Sequence, residues 1–336
     1  MKAYELREFT GPDGLTLNEE RAEPQPGAGE VLIRVRAASL NYRDISVSTG
    51  QYPGMLKPSV IPLSDGAGEI IGVGAEAPDV RLGERVMSAF YPYWIAGPVS
   101  EEATEFALGG SLDGVLTQLV SLPAAAAVPI PAHLSFEEAA TLPSAAVTAW
   151  QAIVETAKVR AGDVVLVLGT GGVSLFALQF AKLHGATVIL TSASTAKLQR
   201  VAEMNADHLL NYRTTPEWDV EVLKATQGRG VDVVIEVGGA GTLERSLRSV
   251  RKGGVIVLIG RLAGTGKIDP LPVMRRAVRL IGINVGSREM FAAMNRAITA
   301  SSLRPVIDRT FDFCEAPAAY RYLRTGSNFG KVVITV

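Results

Sequence analysis

The segment from residue 163 to residue 192 carries the clearest structural pattern in this chain. An apolar run, Val164–Leu168, ends in a glycine turn, a helix-like stretch follows, and a second apolar run covers residues 188–190. This order predicts a strand, a tight turn, a helix and a parallel strand. Such a unit holds a dinucleotide pyrophosphate at a helix N-terminus.

The glycines of the turn are placed as such a site requires. Gly169 permits the tight turn, and Gly171 lets backbone N–H groups approach a phosphate without a Cβ atom in the way. The third position of the G-x-G-x-x-G pattern is Ser174, a small residue but a departure. The pattern alone also fits an ordinary strand-to-helix turn, but the repeating units downstream favour a dinucleotide site. The residues expected to bind the pyrophosphate are Gly169, Thr170, Gly171, Gly172 and Val173.

Strands alternate with helices from Asp163 onward. Six apolar runs lie at residues 164–168, 188–190, 208–210, 231–237, 255–259 and 280–285. They predict an α/β fold with a doubly wound, mostly parallel six-stranded sheet covered on both faces. The region before about Leu122 is rich in turns and predicts a β-rich domain, which the chain is expected to rejoin after residue 285. Between the two, Ser135 and Glu138 form a capping box that predicts a helix start.

Composition narrows the function classes. With 33 basic and 34 acidic residues the net charge is −1, so nothing indicates a nucleic-acid or membrane partner. No uncharged apolar run has the length of a membrane span, and residues 1–14 lack the apolar core of a signal peptide. The single cysteine, Cys314, excludes an internal disulfide and fits a reducing compartment. We therefore expect a cytoplasmic enzyme.

The end of the second strand indicates which cofactor is bound. NAD-binding units usually place an acidic residue there to hold the ribose 2′-hydroxyl, but this chain has Ser192. Ser194 adds a hydroxyl, and Lys197 and Arg200 add positive charge within the next turn, so a 2′-phosphate can be bound and NADPH is favoured over NADH. Alternatively, Ser194 only caps the next helix and Lys197 is a solvated surface residue. Both interpretations can hold at once.

The residue inventory disfavours zinc. Structural zinc in dehydrogenases typically takes four thiolates, which one cysteine cannot supply. The three histidines, His133, His184 and His208, lie in different predicted segments and are expected to be surface or structural residues.

Motifs over essentially the whole chain resemble the zinc-independent branch of the medium-chain dehydrogenase/reductase superfamily. They are AASLNYRD (37–44), GQYP (50–53), IPLSDGAGEIIGVG (61–74), EEAATLPSAAVTAW (137–150), GTGGVSLFALQFAKLHGA (169–186), GRGVDVVIEVGG (228–239) and FGKVVI (329–334). The resemblance implies a GroES-like catalytic domain, expected at 1–124 and 286–336, and a Rossmann domain at 125–285. It also implies a homodimer, because family members commonly pair through the last Rossmann strand, here the apolar 280–285 segment.

Residue matching then assigns roles. The metal ligands of zinc-dependent members fall on Asn41, Ser64 and Ser144, all neutral, so metal-assisted chemistry is not expected. Asn41 and Tyr52 are the expected catalytic residues, Asn41 holding the substrate oxygen and Tyr52 delivering a proton, with water as the alternative proton source. Lys197 and Tyr212 match a lysine and a tyrosine that bind the 2′-phosphate in NADPH-dependent quinone reductases of the superfamily. The further residues expected at the cofactor are Thr148, Ser192, Ser194, Gly238, Gly260 and Asn328.

The densest aromatic cluster is expected to form one wall of the substrate pocket. It consists of Phe90, Tyr91, Tyr93 and Trp94, at the start of a long insertion that the family places beside the cleft. Simple packing of this loop on the β-rich domain is the alternative. The expected substrate-binding residues are Tyr42, Tyr91, Tyr93 and Trp94.

The leading functional hypothesis is zinc-independent, NADPH-dependent reduction of an activated C=C bond or a quinone. The first alternative is a zinc-free NAD(P)-dependent alcohol dehydrogenase or carbonyl reductase. A second alternative is a non-catalytic nucleotide-responsive protein, although the balanced charge argues against nucleic-acid binding. The expected partners are small carbonyl, enone or quinone molecules.

Overall fold

The computed structural model describes residues 1–77, 80–264 and 266–336. By their internal contacts these residues form two compact units. The first unit comprises Met1–Val147 and Val285–Val336, and the second comprises Thr148–Asn284. None of the described helices is long and apolar enough to cross a bilayer.

In the described residues, seven strands precede the second unit. They are β1 (Ala3–Leu6), β2 (Leu15–Asn18), β3 (Glu30–Leu40), β4 (Asp65–Val73), β5 (Arg85–Ser88), β6 (Leu119–Pro123) and β7 (Ala127–Pro129). β3 is central and pairs antiparallel with β4 and β6, and the sheet continues through β5 to β7. Its residues alternate as expected for a strand with one face in the core, since Val31, Ile33 and Val35 are buried whereas Arg34 and Arg36 are exposed.

Short helices join these strands and lead out of the first unit. They are α1 (Tyr42–Ser48), α2 (Glu101–Thr104), α3 (Phe136–Ala140) and α4 (Val147–Trp150), with π-helical turns at Leu142–Ala146 and Gln151–Thr156. The predicted capping box is present at the start of α3. Glu138 N donates to Ser135 Oγ (3.1 Å), and Ser135 N donates to Glu138 Oε2 (2.9 Å). α3 packs on β3 and β4, and so residues 125–147 group with the first unit by contacts.

The second unit alternates strands and helices. Its elements are β8 (Val164–Leu168), α5 (Gly172–Leu183), β9 (Thr187–Ser192), α6 (Thr195–Ala202), β10 (His208–Asn211), α7 (Trp218–Ala225), β11 (Val231–Glu236), α8 (Ala240–Ser249), β12 (Val250–Leu258), α9 (Leu271–Arg275) and β13 (Arg279–Gly282). The six strands that the described part of this unit contains are all parallel, in the order β10-β9-β8-β11-β12-β13, which confirms the predicted sheet. The strand order reverses between β8 and β11, where open α/β sheets bind their ligands.

The C-terminal segment, Val285–Val336, belongs to the first unit. It contains α10 (Arg288–Ser301), β14 (Ile307–Asp312), α11 (Ala316–Arg324) and β15 (Lys331–Thr335). β15 pairs parallel with β14 and antiparallel with β3, with Val332 opposite Leu40. Lys331, the first residue of β15, is thereby brought beside the end of β3 and the start of α1.

Candidate active site

The three positions matched to metal ligands all donate hydrogen bonds to one buried carboxylate, that of Asp65. Ser64 Oγ donates to Asp65 Oδ1 (2.7 Å), while Asn41 Nδ2 (2.9 Å) and Ser144 N (3.2 Å) donate to Asp65 Oδ2. Asp65 opens β4, Asn41 follows β3, and Ser144 lies in the first π-helical turn. The three positions that the sequence matching identified therefore lie together, and the side chain that joins them is that of Asp65.

The amide of Asn41 is held at both ends. Its Oδ1 accepts a hydrogen bond from Lys331 Nζ (2.5 Å), and its Nδ2 donates to Asp65 Oδ2 (2.9 Å). Lys331 also donates to the carbonyl oxygen of Leu40 (2.7 Å), and its Nζ lies 3.7 Å from Asp65 Oδ2. Lys331 and Asp65 are 2% and 0% exposed, whereas Asn41 is partly exposed. Of the three side chains Asn41, Asp65 and Lys331, Asn41 is therefore the one that a ligand can reach.

A second acid supports the same position. Asp44 Oδ2 accepts the backbone N–H of Asn41 (2.7 Å) at the start of α1. Burial raises the pKa of Asp44 to about 6, against the opposing effect of Arg43, whose Nη1 lies 3.8 Å from Asp44 Oδ1. Burial lowers the pKa of Lys331, opposed by Asp65 and Asp44. The negative charges of Asp65 and Asp44 are thus balanced by the positive charges of Lys331 and Arg43.

The backbone before Asp65 is fixed by close packing. Leu63 adopts φ 67°, a left-handed conformation that is uncommon for a bulky residue. A Cβ atom at Gly114 would collide with the carbonyl oxygen of Leu63, and the carbonyl oxygen also accepts the backbone N–H of Val115 (3.0 Å). The carboxylate of Asp65 therefore follows a closely packed turn.

Tyr52 lies beside a stacked arginine. The Arg43 guanidinium lies 4.8 Å from the centre of the Tyr52 ring and 4.7 Å from that of Phe90, and Arg43 Nη1 donates to the carbonyl oxygen of Leu108 (2.8 Å). Tyr52 is partly buried, and a Cβ atom at Gly54 would lie too close to its ring. The ring position is thus fixed by cation–π contact and packing.

The aromatic insertion packs largely on itself. Phe90, Tyr91 and Trp94 are buried and form a separate cluster, whereas Tyr93 is 52% exposed and packs edge-on against Phe106. Burial raises the pKa of Tyr91 to about 12. Tyr42, the first residue of α1, is 54% exposed. The alternative of loop packing therefore describes three of these aromatic residues, and the substrate-binding roles of Tyr42, Tyr91, Tyr93 and Trp94 stay predictions.

The dinucleotide turn has the predicted geometry. Gly169 follows β8 with φ 79°, and Gly171 is the N-cap of α5. A Cβ atom built on Gly171 meets no described atom within 4 Å, so the space before the helix is open to a phosphate. Ser174, the departure from the glycine pattern, donates its hydroxyl to the carbonyl oxygen of Leu168 (2.7 Å) and ties α5 to the end of β8.

The residues predicted for a 2′-phosphate lie together at the carboxyl ends of β9 and β10. Ser194 caps α6 by accepting the backbone N–H of Lys197 (3.3 Å), and its own N–H donates to Ser192 Oγ (3.3 Å). Tyr212 N donates to the carbonyl oxygen of Ser192 (3.1 Å), and its side chain is 42% exposed. The capping interpretation of Ser194 is therefore confirmed, and Ser194 and Lys197 lie in the first turn of α6, at this end of the sheet.

A buried glutamate that the sequence reading missed occupies the N-terminus of α8. Glu236, at the end of β11 and 0% exposed, accepts the backbone N–H groups of Gly238 (2.8 Å) and Gly239 (3.1 Å). The hydroxyls of Thr242 and Ser246 also donate to it (2.6 Å and 2.5 Å). The backbone N–H groups at this helix end thus already have a side-chain acceptor, whereas in the described residues the first turn of α5 contains no acidic side chain.

The remaining predicted cofactor residues are distributed over both units. Gly260 follows β12, where a Cβ atom would press on the Val237 carbonyl. Thr148 is buried at the start of the second unit. Asn328 lies before β15, and its Nδ2 donates to the carbonyl oxygen of Gly330 (2.8 Å).

The side chains do not fit a zinc ion. Asn41, Ser64 and Ser144 offer no thiolate or imidazole, and Asp65 already takes hydrogen bonds on both oxygens. Within residues 1–77, 80–264 and 266–336, no group of three or more histidine, cysteine or acidic side chains is placed to hold a metal. His133 and His184 each contact a backbone carbonyl oxygen, at 3.0 Å and 2.8 Å, and His208 is exposed.

Comparisons with known proteins agree with this architecture. Residues 27–132 match the family model of the alcohol dehydrogenase GroES-like domain, and residues 172–300 match that of the zinc-binding dehydrogenases. A zinc-type alcohol dehydrogenase-like protein of Schizosaccharomyces pombe is 42% identical over 98% of this chain and 97% of its own length. A quinone oxidoreductase of Pongo abelii is 30% identical over 99% of this chain and 97% of its own.

A solved structure extends the comparison to a protein with a bound cofactor. It is that of the mycobacterial protein Rv1454c complexed with NADPH, which superposes with a TM-score of 0.84 at 27% identity. The match covers 100% of both chains. The similarity therefore spans both units.

Proposed function

Because the chain belongs to the medium-chain dehydrogenase/reductase superfamily, we propose that it is an NADPH-dependent reductase of activated C=C bonds or quinones that works without zinc. The observation that carries the proposal is the Asn41 group. At the positions matched to metal ligands the chain presents a hydrogen-bond donor, oriented by Asp65 and Lys331. A donor of this kind can stabilise negative charge on a substrate oxygen.

The chemistry follows from where charge develops. The nicotinamide, when bound, supplies a hydride to the electron-poor carbon of the substrate. In an enone, the electron pair of the C=C bond moves toward the carbonyl, and negative charge appears on its oxygen. Asn41 donates a hydrogen bond to that oxygen, and Tyr52 or water supplies a proton to the α-carbon as the C=O bond re-forms, so the product is the saturated ketone.

The dinucleotide site supports a nicotinamide cofactor, and its second strand supports NADPH. The open N-terminus of α5 accommodates the pyrophosphate, and Ser192 stands where a carboxylate would repel a 2′-phosphate. Gly171 and the first turn of α5 would hold the phosphates, and Ser194, Lys197 and Tyr212 would hold the 2′-phosphate.

Product analysis separates this function from its main alternative. Purified protein is incubated with NADPH and an enone, and the product is identified. A saturated ketone supports C=C reduction, whereas an allylic alcohol would make the protein a carbonyl reductase, as the alcohol dehydrogenase-like name of the yeast relative suggests. No turnover over a broad panel of enones, quinones and aldehydes would contradict both.

Lys197→Ala is expected to weaken NADPH binding much more than NADH binding, because only NADPH carries the 2′-phosphate. Loss of one charge-assisted contact costs about 1.5–3 kcal/mol, so the preference should fall roughly tenfold or more. Tyr212→Phe should act in the same direction but less. Fluorescence titration with both cofactors measures the effect, and Lys224→Ala, which removes an exposed ammonium paired with Glu221 on α7, is the matched control. Equal losses for both cofactors would show that Lys197 only shapes the fold.

Activity is expected to survive exhaustive chelation, and metal analysis should find no stoichiometric zinc. The reason is that an amide and two serines cannot replace the thiolate and imidazole ligands of a catalytic zinc. Turnover is assayed before and after treatment with a chelator. Loss of turnover that zinc alone restores would overturn this prediction.

We propose a homodimer formed through β13. This strand ends the six-stranded sheet, and Leu280 and Ile281 on it are only partly buried. Light scattering at micromolar concentration should give about twice the chain mass, since such edges pair isologously. Ile281→Lys should shift the mass toward that of the single chain. A wild-type mass of 35.6 kDa would contradict the proposal.

A further inference from the structure

We propose that Lys331 is a positioning residue of the reduction site. With Asp65 it fixes the Asn41 amide so that an N–H group, and not the amide oxygen, is offered to the substrate oxygen. Its ammonium also supplies a positive charge beside Asn41 and the buried Asp65. This inference rests on the proposed function and adds a residue to it.

The orientation of the Asn41 amide follows from the chemistry of its two neighbours. Lysine has only donors and an ionised carboxylate has only acceptors. Oδ1 must therefore face Lys331 Nζ (2.5 Å), and Nδ2 must face Asp65 Oδ2 (2.9 Å). A rotation of the amide by half a turn would set Nδ2 against the ammonium and Oδ1 against the carboxylate, and both hydrogen bonds would be lost.

This orientation leaves one N–H group available. Nδ2 carries two protons, and one of them is donated to Asp65. In the described part of the chain, no group accepts the other. Because Lys331 and Asp65 are buried and Asn41 is partly exposed, this second proton is the polar group that the cluster can offer to a ligand.

The ammonium also makes that proton a better donor. A hydrogen bond to the oxygen of an amide draws electron density from its nitrogen, so bonds in a chain strengthen one another in a low-dielectric site. Lys331, at one end of the amide, thus acts on the substrate oxygen at the other end without touching it. The charged groups near the Lys331–Asn41 hydrogen bond are Asp65, Asp44 and Arg43. Together with Lys331 they are two acids and two bases, so their charges cancel.

Three variants at this position separate positioning from charge balance. Lys331→Met removes both the donor and the charge, and should lower kcat for an enone about 10²-fold or more, as expected for loss of an oriented donor. NADPH affinity should change little. Lys331→Gln keeps a neutral donor near Oδ1 and should recover part of kcat. Lys331→Met combined with Asp44→Asn restores charge balance but supplies no donor to Asn41 Oδ1. It leaves Asp65 in place, and the amide oxygen at position 44 can still accept the backbone N–H of Asn41.

The double variant gives the decisive comparison. If Lys331 positions Asn41, the double variant should regain thermal stability over Lys331→Met while kcat stays low. If Lys331 only neutralises the buried acids Asp65 and Asp44, stability and kcat should return together, and the proposal is overturned. Retention of wild-type kcat in Lys331→Met would overturn it as well. Arg36→Met, which breaks an exposed ion pair with Glu69 on the same sheet, is the control and should leave kcat unchanged.

A readout without turnover separates this inference from the proposed function. The side-chain amide protons of Asn41, identified by NMR through their absence in Asn41→Ala, should exchange with solvent about tenfold faster in Lys331→Met, since one net hydrogen bond is worth about 1–1.5 kcal/mol. If the wild-type protein reduces no enone or quinone, but the Asn41 amide protons still exchange faster in Lys331→Met than in wild type, the proposed function fails and the positioning of Asn41 stands. If exchange is unchanged, Lys331 does not hold the amide.

Discussion

Replacing Asn41 with alanine is expected to lower kcat for an enone by about 10²- to 10³-fold, the usual cost of removing one donor to a developing oxyanion. KM should change much less, because the charge on the oxygen is small in the bound ground state and large in the transition state. The substitution also leaves Lys331 and Asp65 without the amide between them. Steady-state kinetics with NADPH and an enone measures the effect.

Two controls make the Asn41 result interpretable. Asn18→Ala removes the same side chain from β2, where Asn18 Nδ2 donates to Glu5, and it should leave kcat unchanged. Asn41→Asp keeps the size of the side chain but replaces the donor by a carboxylate, which accepts from Lys331 and repels Asp65. It should therefore be at least as inactive as Asn41→Ala. An active Asn41→Asp variant would exclude the donor role.

Tyr52→Phe is expected to lower enone turnover at neutral pH by about 10²- to 10⁴-fold if Tyr52 delivers the proton, which is the range for general acid catalysis. The substitution keeps the aromatic ring that stacks on Arg43, so the fold should be preserved and the hydroxyl alone is tested. Quinone reduction should be much less affected, because the oxygen of the reduced quinone can take its proton from water. The ratio of the two activities is thus an internal control.

The outcome for Tyr52 decides between two descriptions of the same ring. If the phenylalanine variant retains most of its turnover on an enone, Tyr52 only lines the pocket and water is the acid. A parallel loss on enone and quinone would instead indicate that the hydroxyl positions the substrate. The ring contacts with Arg43 and Gly54 would account for either role.

The second unit was predictable from sequence because its signals are local. The glycine turn after Val164–Leu168 and the succession of apolar runs follow from the order of residues alone, and the structure gives the same parallel sheet. The capping box at Ser135 is local in the same way. The packing of the aromatic insertion was harder to predict. The sequence shows that Phe90, Tyr91 and Trp94 are close along the chain but not that they pack on one another.

The Asn41 group was only half predictable, since its parts come from distant segments. The resemblance identified Asn41, Ser64 and Ser144, but Lys331 was noted only as one letter of a strand motif. A lysine that opens the apolar run VVI is a signal in itself, because a buried charge requires a partner. Its partners could not be named without the pairing of β15 with β3, which brings residues 41 and 331 together.

That pairing has a consequence for how the protein refolds. Asn41 and Lys331 are separated by 290 positions along the chain, with the whole of Thr148–Asn284 between them. Contacts of such long separation are slow to form, because the intervening loop must be closed before they give any stability. We expect the backbone amides of the parallel sheet to regain protection from hydrogen exchange first and the side-chain amide of Asn41 to regain it last. Enzymatic activity should therefore return later than secondary structure after dilution from denaturant.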